Sequence, residues 1–154
     1  MKYLPPIFYC IFCTTTLFSQ SQTDLYISKY SDLAVKEMIK FSIPASITLS
    51  QGILESGDGT SKLAVEGNNH FGIKCHEWVG KEIYVDDDQD NECFRKYKTA
   101  QESYRDHSKF LSTHSRYFSL FEIDITDYRG WANGLKEAGY ATSSTYADNL
   151  ISLI

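Results

Sequence analysis

Ile43-Pro44-Ala45-Ser46-Ile47-Thr48-Leu49-Ser50-Gln51-Gly52-Ile53-Leu54-Glu55-Ser56-Gly57-Asp58-Gly59 reads as one helix with a sharp end. Pro44 sits where a helix can begin, because its missing N–H is an orphan donor in the first turn anyway. Ile47, Gln51, Leu54 and Glu55 then recur at helical spacing, and Ser56-Gly57-Asp58-Gly59 stops the run. Glu55 is thereby placed at the end of a helix flanked by Ile53, Leu54 and a glycine-rich turn. A carboxyl at such an edge can be half buried, and burial raises its pKa so that it can hold a proton near neutrality.

On the N-terminal side, Ala34, Val35, Met38, Ile39 and Phe41 predict a helix over Ser31–Ser42, with Ser31 or Asp32 as its cap. On the C-terminal side a short helical turn, Ser61–Val65, leads to Asn68-Asn69, where the pattern changes. Phe71–Lys74, Lys81–Val85 and Cys93–Tyr97 read as β structure, and the acidic run from Asp86 to Glu92 makes the last two a hairpin. Helices then resume. Thr99-Ala100-Gln101-Glu102 is a capping box ahead of Tyr104, Phe110 and Leu111. Another helix is expected from about Thr126 to Ala138 with Gly139 as its stop. The last begins near Thr145 and is still running at Ile154, as in a domain truncated at its C-terminus. The predicted class is α+β and mostly helical, a β-hairpin lobe beside a helical body, with a groove between them suited to a polymer.

The chain has 154 residues, enough for one compact domain. Hydrophobic residues at 42% and charged residues at 23% exclude a disordered chain. A net charge of −5 excludes a nucleic-acid partner, whose phosphates need Lys and Arg. No internal run of about 18 apolar residues is present, so a polytopic membrane protein is excluded. Met1–Ser21 reads as a secretory signal: Lys2 supplies the positive start, Leu4 to Phe18 the apolar core, and Ser19 and Ser21 the cleavage points. Residues 22–154 then form the mature domain, secreted or periplasmic, with no membrane attachment after cleavage, and expected to be a monomer. Cys10 and Cys13 leave with the signal, so Cys75 and Cys93 remain as the expected disulfide of an oxidising compartment. Loss of Lys2 leaves 14 basic against 20 acidic residues, a mature charge of −6.

Metal and nucleophile motifs fail one by one. His76-Glu77 begins like HExxH, but Gly80 stands at the second His position. His70, His107 and His114 have no partner at ligand spacing, and Glu55-Ser56-Gly57 is no nucleophile elbow. Asp86, Asp88 and Asp90 have the spacing of a calcium loop, but Asn91 and Tyr97 occupy its glycine and glutamate positions. No metal and no cofactor is expected. A pair of carboxylates is the option that fits best, with Glu55 as a general acid and the acidic hairpin tip as a candidate source of its partner. The ordinary reading of a single Glu near a helix end is a solvated residue, and spacing alone does not decide between them.

The run from Ile43 to Ala64 resembles the core motif of the glycoside hydrolase family 73 glucosaminidases, which include flagellar peptidoglycan hydrolases and autolysins. The resemblance continues through Asn68-Asn69-His70-Phe71-Gly72-Ile73-Lys74, Phe94-Arg95-Lys96-Tyr97 and Glu102-Ser103-Tyr104-Arg105-Asp106-His107. It closes with Trp131-Ala132, Leu135-Lys136, Ala138-Gly139-Tyr140-Ala141-Thr142 and Tyr146-Ala147, so nearly the whole mature chain is covered in order. The resemblance implies a lysozyme-like fold and hydrolysis of the β-1,4 bond after N-acetylglucosamine in peptidoglycan glycan strands. It puts Glu55 at the general acid. It implies a second acidic residue on the hairpin, for which Asp88 is favoured over Asp86, Asp87 and Glu92. Tyr140 falls at the catalytic-site tyrosine, with Tyr146 as the alternative and otherwise a substrate contact. Asn68, Asn69 and Phe71 are expected to line the cleft, with turn and core roles as their alternatives. The hairpin carboxylate acts either as base on water or as assistant to attack by the substrate's own N-acetyl oxygen. Two rival functions share these features: a lytic transglycosylase and a non-catalytic glycan-binding module.

Overall fold

The structure, a computed structural model, describes residues 20–87 and 89–154; most of the signal segment, and Asp88, lie outside the described residues. Helix α1 runs Gln22–Phe41, nine residues earlier than the aliphatic pattern predicts. Its start is a capping box on Ser21: the Ser21 hydroxyl accepts from Asp24 N at 3.0 Å, and the Asp24 carboxylate accepts from Ser21 N at 3.1 Å. The missed first half is held by aromatics, since Tyr26, Tyr30 and Ala34 form one buried stripe at a spacing of four. Helix α2, Ala45–Ser56, follows the expected course and ends on Gly57 in the left-handed region at φ +54°. Helix α3, Lys62–Gly67, is capped by the Ser61 hydroxyl.

Strands β1 (Lys81–Val85) and β2 (Glu92–Lys96) form the hairpin, antiparallel with Ile83 opposite Phe94. Both of those side chains are buried, so this face of the lobe packs onto the body. Phe71–Lys74, expected as a short strand, is instead a turn that keeps a single bridge, Lys74 to Phe94. The Asn69 side chain accounts for the difference. Its Oδ1 accepts from Phe71 N and Ile73 N, and its Nδ2 donates to Ile73 O and Arg95 O, so the amide does the work of a strand neighbour. Beyond the turn the chain runs along β2, with Arg95 N donating to Ile73 O and Cys75 N to Cys93 O.

The Cys75–Cys93 disulfide closes this corner, 18 residues apart in sequence. The Cys75→Ser/Cys93→Ser variant is expected to lose about 3 kcal/mol through the longer unfolded loop, read as a fall in the urea midpoint. An unchanged midpoint would show that the lobe is held by packing alone.

Helix α4, Ala100–Thr113, is capped by Thr99, but the Glu102 carboxylate accepts from Lys98 N, one residue before the cap. A 3₁₀ segment, Ser115–Glu122, follows, and nothing in the sequence periodicity announces it. Helices α5 (Tyr128–Glu137) and α6 (Tyr146–Leu153) complete the body; Gly139, at φ +73°, ends α5 as expected. Two buried clusters result. One joins Ile43 and Ile47 to Leu111, Tyr117, Leu120, Trp131, Leu135 and Leu150. The other joins Ile53 to Tyr26, Tyr30, Phe71, Ile73 and Tyr104. Helix α2 contributes to both and separates them. Trp131 is fully buried in the first cluster and is a core residue.

Candidate active site

The end of α2 is built to present Glu55. The Ser56 hydroxyl donates to Gly52 O and accepts from Gly59 N, folding the following turn back on the helix. Gly59 has φ +78°, and a Cβ there would meet the Tyr26 ring at 3.0 Å, so this turn admits only glycine at that position. Glu55, half-buried, faces a cleft of about 480 Å³ between the helical body and the hairpin. Phe71, Ile73 and Phe94 give the cleft an apolar floor. Lys74, His76 and Asp87 line it from the lobe side, and Arg116, Tyr117 and Tyr140 from the body.

Burial pushes the Glu55 carboxyl above its ordinary range; a hydrogen bond from Tyr146 partly opposes this, and the negative charge of Asp87 adds to it. The net effect favours the protonated acid. Tyr146 is buried, and its phenol is raised first by burial and then by the nearby Glu55 charge. Tyr140 is raised for the same two reasons, together with the neighbouring phenols. The two tyrosine rings stack at 5.7 Å, so they form one wall beside the acid.

The residues expected from sequence divide clearly. Glu55, Phe71 and Tyr140 line the cleft, and Tyr146 is buried behind it, near enough to Glu55 to lower its pKa. Asn68 and Asn69 are not among the lining residues. Asn68 caps α3 in the left-handed region and donates to Tyr97 O and Lys98 O, while Asn69 is buried on the four backbone partners named above. At the hairpin tip Asp87 lines the cleft. Asp86 accepts from Asn91 N within the turn, and Glu92 pairs with Lys74 at 2.7 Å. Lys74, His76, Arg116 and Tyr117 were not singled out from sequence as site residues. Arg116 and Tyr117 lie in the unheralded 3₁₀ segment, and no local pattern points to them. The one grouping of possible metal donors among the described residues, Cys75, Glu82 and Cys93, has its two sulfurs bonded to each other.

Beneath the floor lie two buried histidines. His107 stacks on Phe71 at 3.9 Å, and burial lowers its pKa to about 3. His70 faces the Tyr26 hydroxyl at 3.0 Å through Nδ1, and burial, helped by Lys29, lowers it to about 4. Both are therefore neutral in the fold, whereas the unfolded chain takes up their protons from about pH 6.5 downward. Stability is full above that pH and falls as the pH drops from about 6.5 towards 4, by up to about 1.4 kcal/mol per pH unit for each histidine. Urea midpoints between pH 7 and 4 should show the decline, and His107→Phe should flatten it; an equal slope in that variant would remove His107 from the cause of the loss.

A helical body, a two-stranded lobe and a half-buried carboxyl facing the cleft between them are the arrangement of a lysozyme-like glycoside hydrolase. Residues 31–154 match the family model for mannosyl-glycoprotein endo-beta-N-acetylglucosaminidase. The chain belongs to this glucosaminidase family. It is 32% identical over 128 residues to exo-glucosaminidase LytG of Bacillus subtilis, covering 75% of this chain and 44% of that protein. With peptidoglycan hydrolase FlgJ of Vibrio parahaemolyticus it shares 30% over 134 residues, covering 79% and 42%. The chain thus spans less than half the length of these curated relatives. Among solved structures, the catalytic domain of the autolysin Auto of Listeria monocytogenes superimposes with a TM-score of 0.76 at 27% identity, covering 97% of this chain and 95% of that one. A peptidoglycan hydrolase of Sphingomonas sp. A1 gives 0.75 at 27%, covering 86% of each.

Proposed function

We propose that this chain is a secreted β-N-acetylglucosaminidase that cuts the β-1,4 bond after N-acetylglucosamine in bacterial peptidoglycan. The observation that carries this is Glu55: a half-buried carboxyl, biased towards its protonated form, facing an open cleft with Asp87 close enough to influence it. Glu55 gives its proton to the glycosidic oxygen as the bond to the anomeric carbon breaks. The hairpin tip supplies the second carboxylate. Asp87 lines the cleft, and Asp88, the residue favoured from sequence, is next to it in the sequence. That carboxylate either takes a proton from the attacking water or steadies the substrate's N-acetyl group while its oxygen attacks. Inverted anomeric configuration reports the first route and retained configuration the second. The apolar floor of Phe71 and Phe94 offers its rings to sugar faces.

The relatives' names support the substrate class, since LytG is an exo-glucosaminidase and FlgJ a peptidoglycan hydrolase. Secretion rests on the signal pattern of Met1–Ser21, whose last residue is also the N-cap of α1. No described helix is long and apolar enough to cross a membrane.

The test is a digest of purified peptidoglycan, reduced with borohydride and read by mass spectrometry. New reducing ends at N-acetylglucosamine are expected. Ends at N-acetylmuramic acid, or anhydro products, would overturn the bond assignment, and no release at all would favour a glycan-binding module. Long fragments at early times mark internal cutting, whereas disaccharides alone mark cutting from chain ends.

A further inference from the structure

Gln51 lies one helical turn before Glu55 on α2, so the two side chains leave the same side of the helix. It is fully buried, a costly place for a primary amide without a polar task. Its Nε2 donates to the Tyr146 hydroxyl oxygen at 3.0 Å, and that hydroxyl stands beside the Glu55 carboxyl, whose pKa it lowers as a donor. The directions follow from the groups. An amide nitrogen only donates, so the phenol oxygen accepts from Gln51 and its single proton is left for Glu55.

This order matters for an acid. Protonated Glu55 has one O–H, and hydrolysis needs it on the glycosidic oxygen. A phenol oxygen open towards Glu55 would compete for that proton. With the oxygen already engaged by Gln51, Tyr146 serves Glu55 as donor to its other carboxyl oxygen. Resting on the glucosaminidase reading above, we propose that Gln51 is a positioning residue: by fixing the direction of the Tyr146 hydroxyl, it keeps the Glu55 proton aimed into the cleft.

Other groups also face Glu55. Asp87 comes from the hairpin, Lys74 and His76 from the chain before it, Arg116 and Tyr117 from the 3₁₀ segment, and Tyr140 from the connection into α6. Replacing Gln51 changes none of these charges, so a change in Glu55 titration reports the relay. Loss of the Gln51 donor weakens donation from Tyr146 to ionised Glu55 and lets the phenol accept from the neutral acid. Both changes favour the protonated form.

The test is a double-variant cycle with Gln51→Met, which keeps side-chain length and removes the donor, and Tyr146→Phe. Gln51→Met should lower kcat about tenfold, part of the 10²–10⁴ that a general acid supplies, with KM unchanged because Gln51 does not line the cleft. Its basic limb of activity should move to higher pH, and ¹³C NMR of the Glu55 carboxyl should titrate higher. In Tyr146→Phe, adding Gln51→Met should cost nothing further. Independent, additive losses, or an unmoved Glu55 titration, would overturn the proposal and leave Gln51 a packing residue. If Gln51→Met does not fold, Gln51→Glu carries the test: its carboxylate takes the Tyr146 proton, so the loss should be larger and should recover as the pH falls. Wild-type activity and titration in that variant would equally overturn it. The NMR titration needs no turnover, so a wild type that releases no glycan would sink the proposed function without touching this relay.

Discussion

Glu55→Gln is expected to slow release of glycan fragments by about 10²–10⁴-fold, the share of a positioned general acid, in a protein that stays folded. The substitution keeps shape and hydrogen-bonding reach but holds no proton to give. The side-chain oxygen of Gln still accepts from Tyr146, and the desolvation that pushes Glu55 upward is relieved, so the melting temperature should be equal or higher. Rate and melting curve together make the check. A rate within a few-fold of wild type would remove Glu55 from the chemistry, and a collapsed melting curve would make it a structural residue. The same cause fixes the pH response. An acid must be protonated to act, so activity falls as the pH rises through the elevated Glu55 pKa. Asp87→Asn removes the like charge that helps hold that pKa up, so this basic limb should move to lower pH. A limb that stays in place would mean that Asp87 does not act on Glu55.

Asn69→Ala should be the most damaging substitution among the residues first expected to touch substrate, at about 3–4 kcal/mol. The side chain is buried and joins four backbone groups: Phe71 N, Ile73 N, Ile73 O and Arg95 O. Alanine leaves these without their partner in a place water reaches poorly, and each orphaned group adds its desolvation cost. The effect is read as a fall in the urea midpoint. A sugar-contacting Asn69 would behave oppositely, with normal stability and a raised KM. If the midpoint holds while KM rises, the structural role assigned to Asn69 is wrong.

Those two residues mark what the sequence made legible. Glu55 could be placed because α2 is written in purely local terms: a proline start, helical spacing and a glycine stop. The hairpin was legible for a like reason, from two alternating runs and a turn-rich link. Asn69 was not, because a buried amide bonding to a distant strand looks in sequence like any turn asparagine. Tyr26 and Tyr30 were passed over as helix formers because the stripe they continue is aromatic and carries hydroxyls. The 3₁₀ segment has too short a repeat to show a face, and it hides Arg116 and Tyr117. Placing Tyr140 and Tyr146 needed the third dimension, since both follow α5 in one short stretch and nothing local says that Tyr140 lines the cleft while Tyr146 is buried behind it. Periodicity tells which face of an element is buried. It is silent on what that face meets.

Helix α2 lies between the two buried clusters, with Ile43 and Ile47 on one side of the division and Ile53 on the other. The hairpin opposite it has only two strands and the disulfide corner. Protein segments open with free energies that range from almost nothing at exposed edges to the whole of global unfolding in the core. The bank that carries the acid is built into both clusters, so its local opening is expected to cost nearly as much as unfolding the whole molecule. The bank that carries the acidic tip is held by the buried pair Ile83 and Phe94 and one disulfide, so amide exchange is expected to be faster in β1 and β2 than in α2.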